Sequence, residues 1–72
     1  MNRLPQLSGR ECLAILERYG FRLMRQKGSH MVVQRNNPFS QLVVPDHKQL
    51  DRGTLRAIIR QSGLPVDAFL ES

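Results

Sequence analysis

The chain has 72 residues, with eleven Lys and Arg against six Asp and Glu and a formal net charge of +5 when both histidines are neutral. At this length a folded chain buries only about 60% of the surface its unfolded form exposes, so residues 1–72 are expected to make one small basic domain with one core. Cys12 is the only cysteine, which excludes a disulfide framework and a cysteine-rich zinc site; no apolar run approaches the roughly 18 residues of a membrane span, and residues 1–7 lack the apolar stretch of a signal peptide, so a cytoplasmic protein without membrane contact is expected.

Ser8-Gly9-Arg10-Glu11 has the pattern of a capping box, in which the Ser8 hydroxyl accepts from the Glu11 N–H and the Glu11 carboxylate accepts from the Ser8 N–H. A helix over about residues 9–19 is predicted, with Cys12, Ile15, Leu16 and Tyr19 on its apolar stripe and Gly20 at its end. Cys12 on that stripe reads as a core filler. Residues 21–27 loosely alternate and predict a half-buried strand, Phe21 and Leu23 on one side and Arg22 and Gln26 on the other. Gly28-Ser29 marks a turn, and residues 30–35 have the β-branched content of a second strand. Asn36-Asn37-Pro38 breaks that run, and Ser40 to Val44 form a third strand closed by Pro45.

Farther on, Leu50 and Leu55 flank Asp51 as a hydrophobic staple, and Leu55, Ile58 and Ile59 make the buried stripe of a helix over about residues 52–62, ended by Gly63. Pro65 opens a short last helix with Val66, Phe69 and Leu70. The order αβββα with a helical tail predicts an α+β fold, a three-stranded antiparallel sheet with helices on one face and the other face free. The pleat does not say which face carries His30, because Met31, Val32 and Val33 blur the alternation.

Between Glu17 and Asp46 there is no acidic residue, while Arg18, Arg22, Arg25, Lys27 and Arg35 all fall there. Clustered cations are the footprint of a surface that meets phosphates, although an acidic protein would feel the same field. His30 stands among these charges beside Ser29 and just after Lys27. An imidazole, with a reference pKa of about 6.5, moves protons at neutral pH, and a neighbouring Lys or Arg stabilises negative charge building on phosphorus. Taken alone, a histidine at a strand start also suits a structural role. The two histidines and six carboxylates show no metal-ligand spacing, so no metal and no other cofactor is expected.

Leu7-Ser8-Gly9 with Glu11, Tyr19-Gly20-Phe21, Arg25 to His30, Val43-Val44-Pro45 with His47, and Gly53-Thr54-Leu55 leading to Ile58 through Gln61 and Gly63 together resemble the HicA-like (YcfA-like) messenger-RNA interferase toxins, over nearly the whole chain. The resemblance implies a fold like the double-stranded-RNA-binding domain, metal-independent endoribonuclease activity on mRNA, and inhibition by a HicB-like antitoxin in a type II toxin–antitoxin pair. It implies His30 as the catalytic residue. RNA contacts are expected at Arg22, Arg25, Lys27, Ser29 and Arg35. His47 matches a family position as well, with a secondary part in RNA contact or proton transfer set against a plain role in its loop. Two rivals stay open: a non-catalytic double-stranded-RNA-binding module on the same scaffold, which would retain RNA without turnover, and a protein-interaction domain, which would do neither. Single-strand stacking is the weaker idea, since most of Tyr19, Phe21, Phe39 and Phe69 are expected in the core.

Overall fold

The computed structural model describes residues 4–70, so the first three residues of the segment read for a leader, and Glu71 among the acids, lie outside the described residues. The elements run α1 (Gly9–Arg18), β1 (Arg22–Lys27), β2 (His30–Arg35), β3 (Ser40–Pro45), α2 (Arg52–Ser62) and α3 (Asp67–Leu70). The capping box at Ser8 forms in both directions, at 3.0 Å and 2.8 Å, and Asp51 caps α2 by accepting from the Thr54 N–H and hydroxyl. Gly63 ends α2 at φ 75, a left-handed conformation that glycine adopts without strain.

The strands form one antiparallel sheet in the order β1-β2-β3. Met31 and Val33 of β2 pair with Val44 and Leu42 of β3, and all four are buried. Against this face pack Cys12, Leu13, Ile15 and Leu16 of α1, Leu55 and Ile58 of α2, and Ala68 and Phe69 of α3, with Leu7, Phe21 and the staple leucine Leu50 completing the core. Burial pushes the Cys12 thiol up to about 12, so it stays protonated and inert as a core filler. No helix covers the other face, on which Gln41 and Val43 are exposed. The fold is therefore α+β in the order expected.

Four sequence expectations need correction. β1 is exposed along all six residues rather than half-buried, because the inward-facing Phe21 lies just before it. Gln26 shares a face with Leu23, not with Arg22, because a bulge between Leu23 and Arg25 inverts the alternation. Only Phe21 and Phe69 of the four aromatics are buried: Tyr19 follows the last turn of α1 as its C-cap, and Phe39 lies in the β2–β3 connection, 67% exposed. Ile59 of α2 is only partly buried.

A cationic sheet face around His30

Directly opposed residues in an antiparallel pair share a face, so the register assigns each side chain. His30 lies between Lys27 of β1 and Pro45 of β3, and Val32 between Arg25 and Val43. Gln34 faces Arg22 and Gln41. These three rows alternate with the buried Met31 and Val33, which puts His30 on the face that no helix covers. The bulge at Met24 is what gathers the cations. In an unbroken strand Arg22 would fall on the opposite face from Arg25 and Lys27, whereas the extra residue returns all three to one side. Arg22, Arg25, Lys27 and His30 are all exposed, and no Asp or Glu lies on any of the three strands.

The end of the sheet that carries His30 is held from behind. Gly28 turns the chain at φ 60. The Ser29 carbonyl, next along, accepts from the Asp46 N–H at 2.6 Å, extending the β2–β3 ladder past Pro45. The Gln26 side-chain amide donates to the Gly28 carbonyl at 3.0 Å and to the Asp46 carboxylate at 3.1 Å. Arg10, from the first turn of α1, donates through Nε and Nη2 to the two Asp46 oxygens at 3.3 and 3.1 Å and through Nη2 to the Gln26 side-chain carbonyl at 3.3 Å. One carboxylate thus ties the hairpin turn, the loop after β3 and the start of α1 together. His47 supplies backbone to the same junction, its carbonyl accepting from the Gly9 N–H at 2.8 Å, while its ring is exposed.

Not every expected residue joins this face. Arg35 has the parity of Met31 and Val33, and its guanidinium lies 4.7 Å over the Phe21 ring while Nε donates to the Pro38 carbonyl at 3.0 Å. It belongs to the opposite face of the sheet and to the far end of β2. Ser29 is exposed beside His30. Arg10, Gln26 and Asp46 were absent from the sequence-derived site, since nothing in their spacing brings positions 10, 26 and 46 together; only Gln26 falls inside the motif around His30. Among the described residues no three His, Cys, Asp or Glu side chains gather as a metal site, and no helix is long and apolar enough to cross a membrane.

A family model described as the HicA toxin of bacterial toxin-antitoxin matches residues 9–64, a span from the first residue of α1 to just past the end of α2. The chain belongs to the HicA toxin family. Among curated proteins, none matches it. As a HicA toxin it is one member of a toxin–antitoxin pair. The matched span contains all of β1, β2 and β3, and with them the cationic face and the network behind it.

In this HicA toxin the Arg10 hydrogen bonds, reinforced by the Gln26 amide and by the charges of Arg10 and His47, hold the Asp46 carboxyl below its ordinary 3.8. A carboxyl depressed in the folded state contributes its contacts fully above 3.8 and loses them as the pH falls through its lower folded value. The contacts of the Asp46 carboxylate are therefore made at neutral pH and weaken only in acid. The carboxyl carbon of Asp46, followed by NMR, is expected to titrate below 3.8 in the wild type and to move up toward 3.8 in Arg10→Ala. An unchanged midpoint in the variant would mean that Arg10 does not hold Asp46 in solution.

Proposed function

We propose that this HicA toxin is a metal-independent endoribonuclease that cleaves mRNA in the cytoplasm and is held in check by a HicB-like antitoxin. The observation that supports it most is the placement of His30, exposed on the uncovered sheet face in one row with Lys27, one row from Arg25 and two from Arg22, with no acidic residue on the strands of that face. RNA lies across the face with its phosphates on Arg22, Arg25 and Lys27, and the Ser29 hydroxyl offers a further hydrogen bond beside His30. Arg35, at the other end of β2 and turned to the helix side, meets RNA only where the strand passes that edge.

His30 takes the proton from a ribose 2′-hydroxyl, the 2′-oxygen bonds to phosphorus, and the bond from phosphorus to the 5′-oxygen breaks, the leaving oxygen being protonated by solvent or by His47. Lys27 and Arg25 offset the charge that builds on the phosphoryl oxygens. The junction of Arg10, Gln26 and Asp46 keeps the turn before His30 in place so that the imidazole meets the ribose without first being ordered. The nucleophile is the 2′-hydroxyl, which DNA lacks.

The test is incubation of the purified chain with RNA and with DNA of the same sequence, in the presence of a chelator. RNA is expected to be cut and DNA to survive. Retention of RNA without any turnover would leave the non-catalytic RNA-binding reading in its place. Replacing Arg22, Arg25 and Lys27 together by Gln is expected to weaken RNA binding and to reduce the slope of log affinity against log salt by about 2, since each phosphate contact on a single strand contributes roughly 0.7. An unchanged slope would place the phosphates elsewhere.

A further inference from the structure

Helix α2 carries a second cationic surface, away from His30. Arg52, Arg56 and Arg60 recur at every fourth position and are all exposed, and the helix contains no acidic residue. The one ion pair among the described residues joins Arg10 to Asp46, so none of these three arginines has a carboxylate partner there. Like charges at this spacing repel and weaken the helix that bears them.

Between the arginines and the start of the chain lies a groove of about 280 Å³ lined by Leu4, Arg56, Ile59, Arg60 and Val66. Its floor is aliphatic. Ile59, on the buried stripe by spacing, is left partly uncovered here, as is Leu4. The groove belongs to the helix layer, on the side of the sheet away from His30.

We propose that this groove docks an acidic, amphipathic segment of the protein antitoxin, setting one aliphatic side chain against Ile59 and Val66 and a carboxylate on each of Arg56 and Arg60. The inference rests on the chain's membership of a toxin–antitoxin pair. Arg56 and Arg60 stand about 6 Å apart along the helix axis. Carboxylates one turn apart on a helix, or two residues apart on a strand at about 6.8 Å, match that interval. A segment with this pattern satisfies both the charge and the apolar floor. RNA satisfies only the charge: the groove has no aromatic ring for a base to stack on, and a strand running past His30 would have to pass around the sheet to reach it. The groove lies away from His30, so the segment bound here contributes affinity without covering the imidazole.

The experiment is calorimetric titration of the toxin's antitoxin into toxin carrying His30→Ala, and into the same protein with Arg56→Glu and Arg60→Glu added. At low salt the double reversal is expected to weaken antitoxin binding at least about tenfold, with the deficit shrinking as salt rises and with RNA retention unchanged. Arg56→Gln with Arg60→Gln, which carries no new charge, is expected to lose less affinity and serves as the test if the reversed helix does not fold. Binding by the starting protein establishes the partnership in the same titration, so a failure of the groove is distinguishable from the absence of an antitoxin. Affinity within about twofold of the starting protein overturns the proposal. So does a parallel loss of RNA retention, which would make the arginine strip a phosphate contact instead.

Discussion

His30→Ala is expected to lower the rate of RNA cleavage by about 10² to 10⁴, the usual contribution of a positioned acid or base, while leaving the melting temperature unchanged. The two parts of this expectation have separate physical origins. The His30 side chain is exposed and takes part in none of the side-chain hydrogen bonds found among the described residues, so its removal opens no cavity and strands no buried partner. Its backbone keeps its place in the ladder between Lys27 and Pro45 whatever the side chain. In the proposed mechanism, by contrast, cleavage loses the one imidazole in the cationic rows. Single-turnover rates at saturating RNA, measured beside thermal melts of both proteins, separate the two. A variant that folds and cuts as fast as the wild type would remove His30 from the chemistry. RNA affinity is expected to change little, because the proposed phosphate contacts are Arg22, Arg25 and Lys27.

Gly9→Ala is expected to have the opposite profile, a large loss of stability from a residue with no side chain to take part in the chemistry. A β-carbon at Gly9 would overlap the carbonyl oxygen of Pro45 and crowd its carbonyl carbon and the Asp46 Cα. These are backbone atoms, so no side chain can swing aside. The close approach exists because the Gly9 N–H donates to the His47 carbonyl and the Leu50 N–H to the Leu7 carbonyl, which clamps the start of α1 onto the loop after β3. Overpacking of this kind costs about 3 kcal/mol, a large share of the roughly 5–15 kcal/mol that holds a domain together. For a domain of this size each kcal/mol moves the melting temperature by about 4–8 °C, so a fall of roughly 12–24 °C is expected. Gly53→Ala is the control: its β-carbon would meet only the Asp51 carboxylate at ordinary contact distance, and its melting temperature should not fall. Equal melting temperatures for Gly9→Ala and the wild type would mean that α1 can move off Pro45 without cost.

Much of this fold could be read from local chemistry. The capping box at Ser8, the cap at Asp51 and the turn at Gly28 are encoded within a few residues, and the sequence places their elements to within a residue. The apolar periods of α1 and α2 likewise name Cys12, Ile15, Leu16, Leu55 and Ile58 of the core, although Tyr19 and Ile59 on the same stripes are not fully buried. What stayed hidden depends on contacts between distant positions. The bulge at Met24 has no glycine to mark it, yet it decides that Arg22 joins Arg25 and Lys27 on one face. Arg35 looked like one more member of the cationic run, but its parity with Met31 and Val33 turns it to the helix side, where its guanidinium lies over Phe21. The Arg10–Gln26–Asp46 junction joins three elements and leaves no periodic trace. His30 itself was legible as a candidate from its charged neighbours, but its face was not, because an apolar run through Met31, Val32 and Val33 fits either side until a helix covers one of them.

In the proposed mechanism an imidazole on the open face of the sheet drives attack by the neighbouring ribose hydroxyl. This step is tested most directly by mass spectrometry of the fragments formed when the purified chain cuts a defined RNA in chelator. A 2′,3′-cyclic phosphate, or its hydrolysed form, on one fragment and a 5′-hydroxyl on the other is the expected result. Fragments bearing a 5′-phosphate would contradict it, since they require water or another external nucleophile in place of the 2′-oxygen.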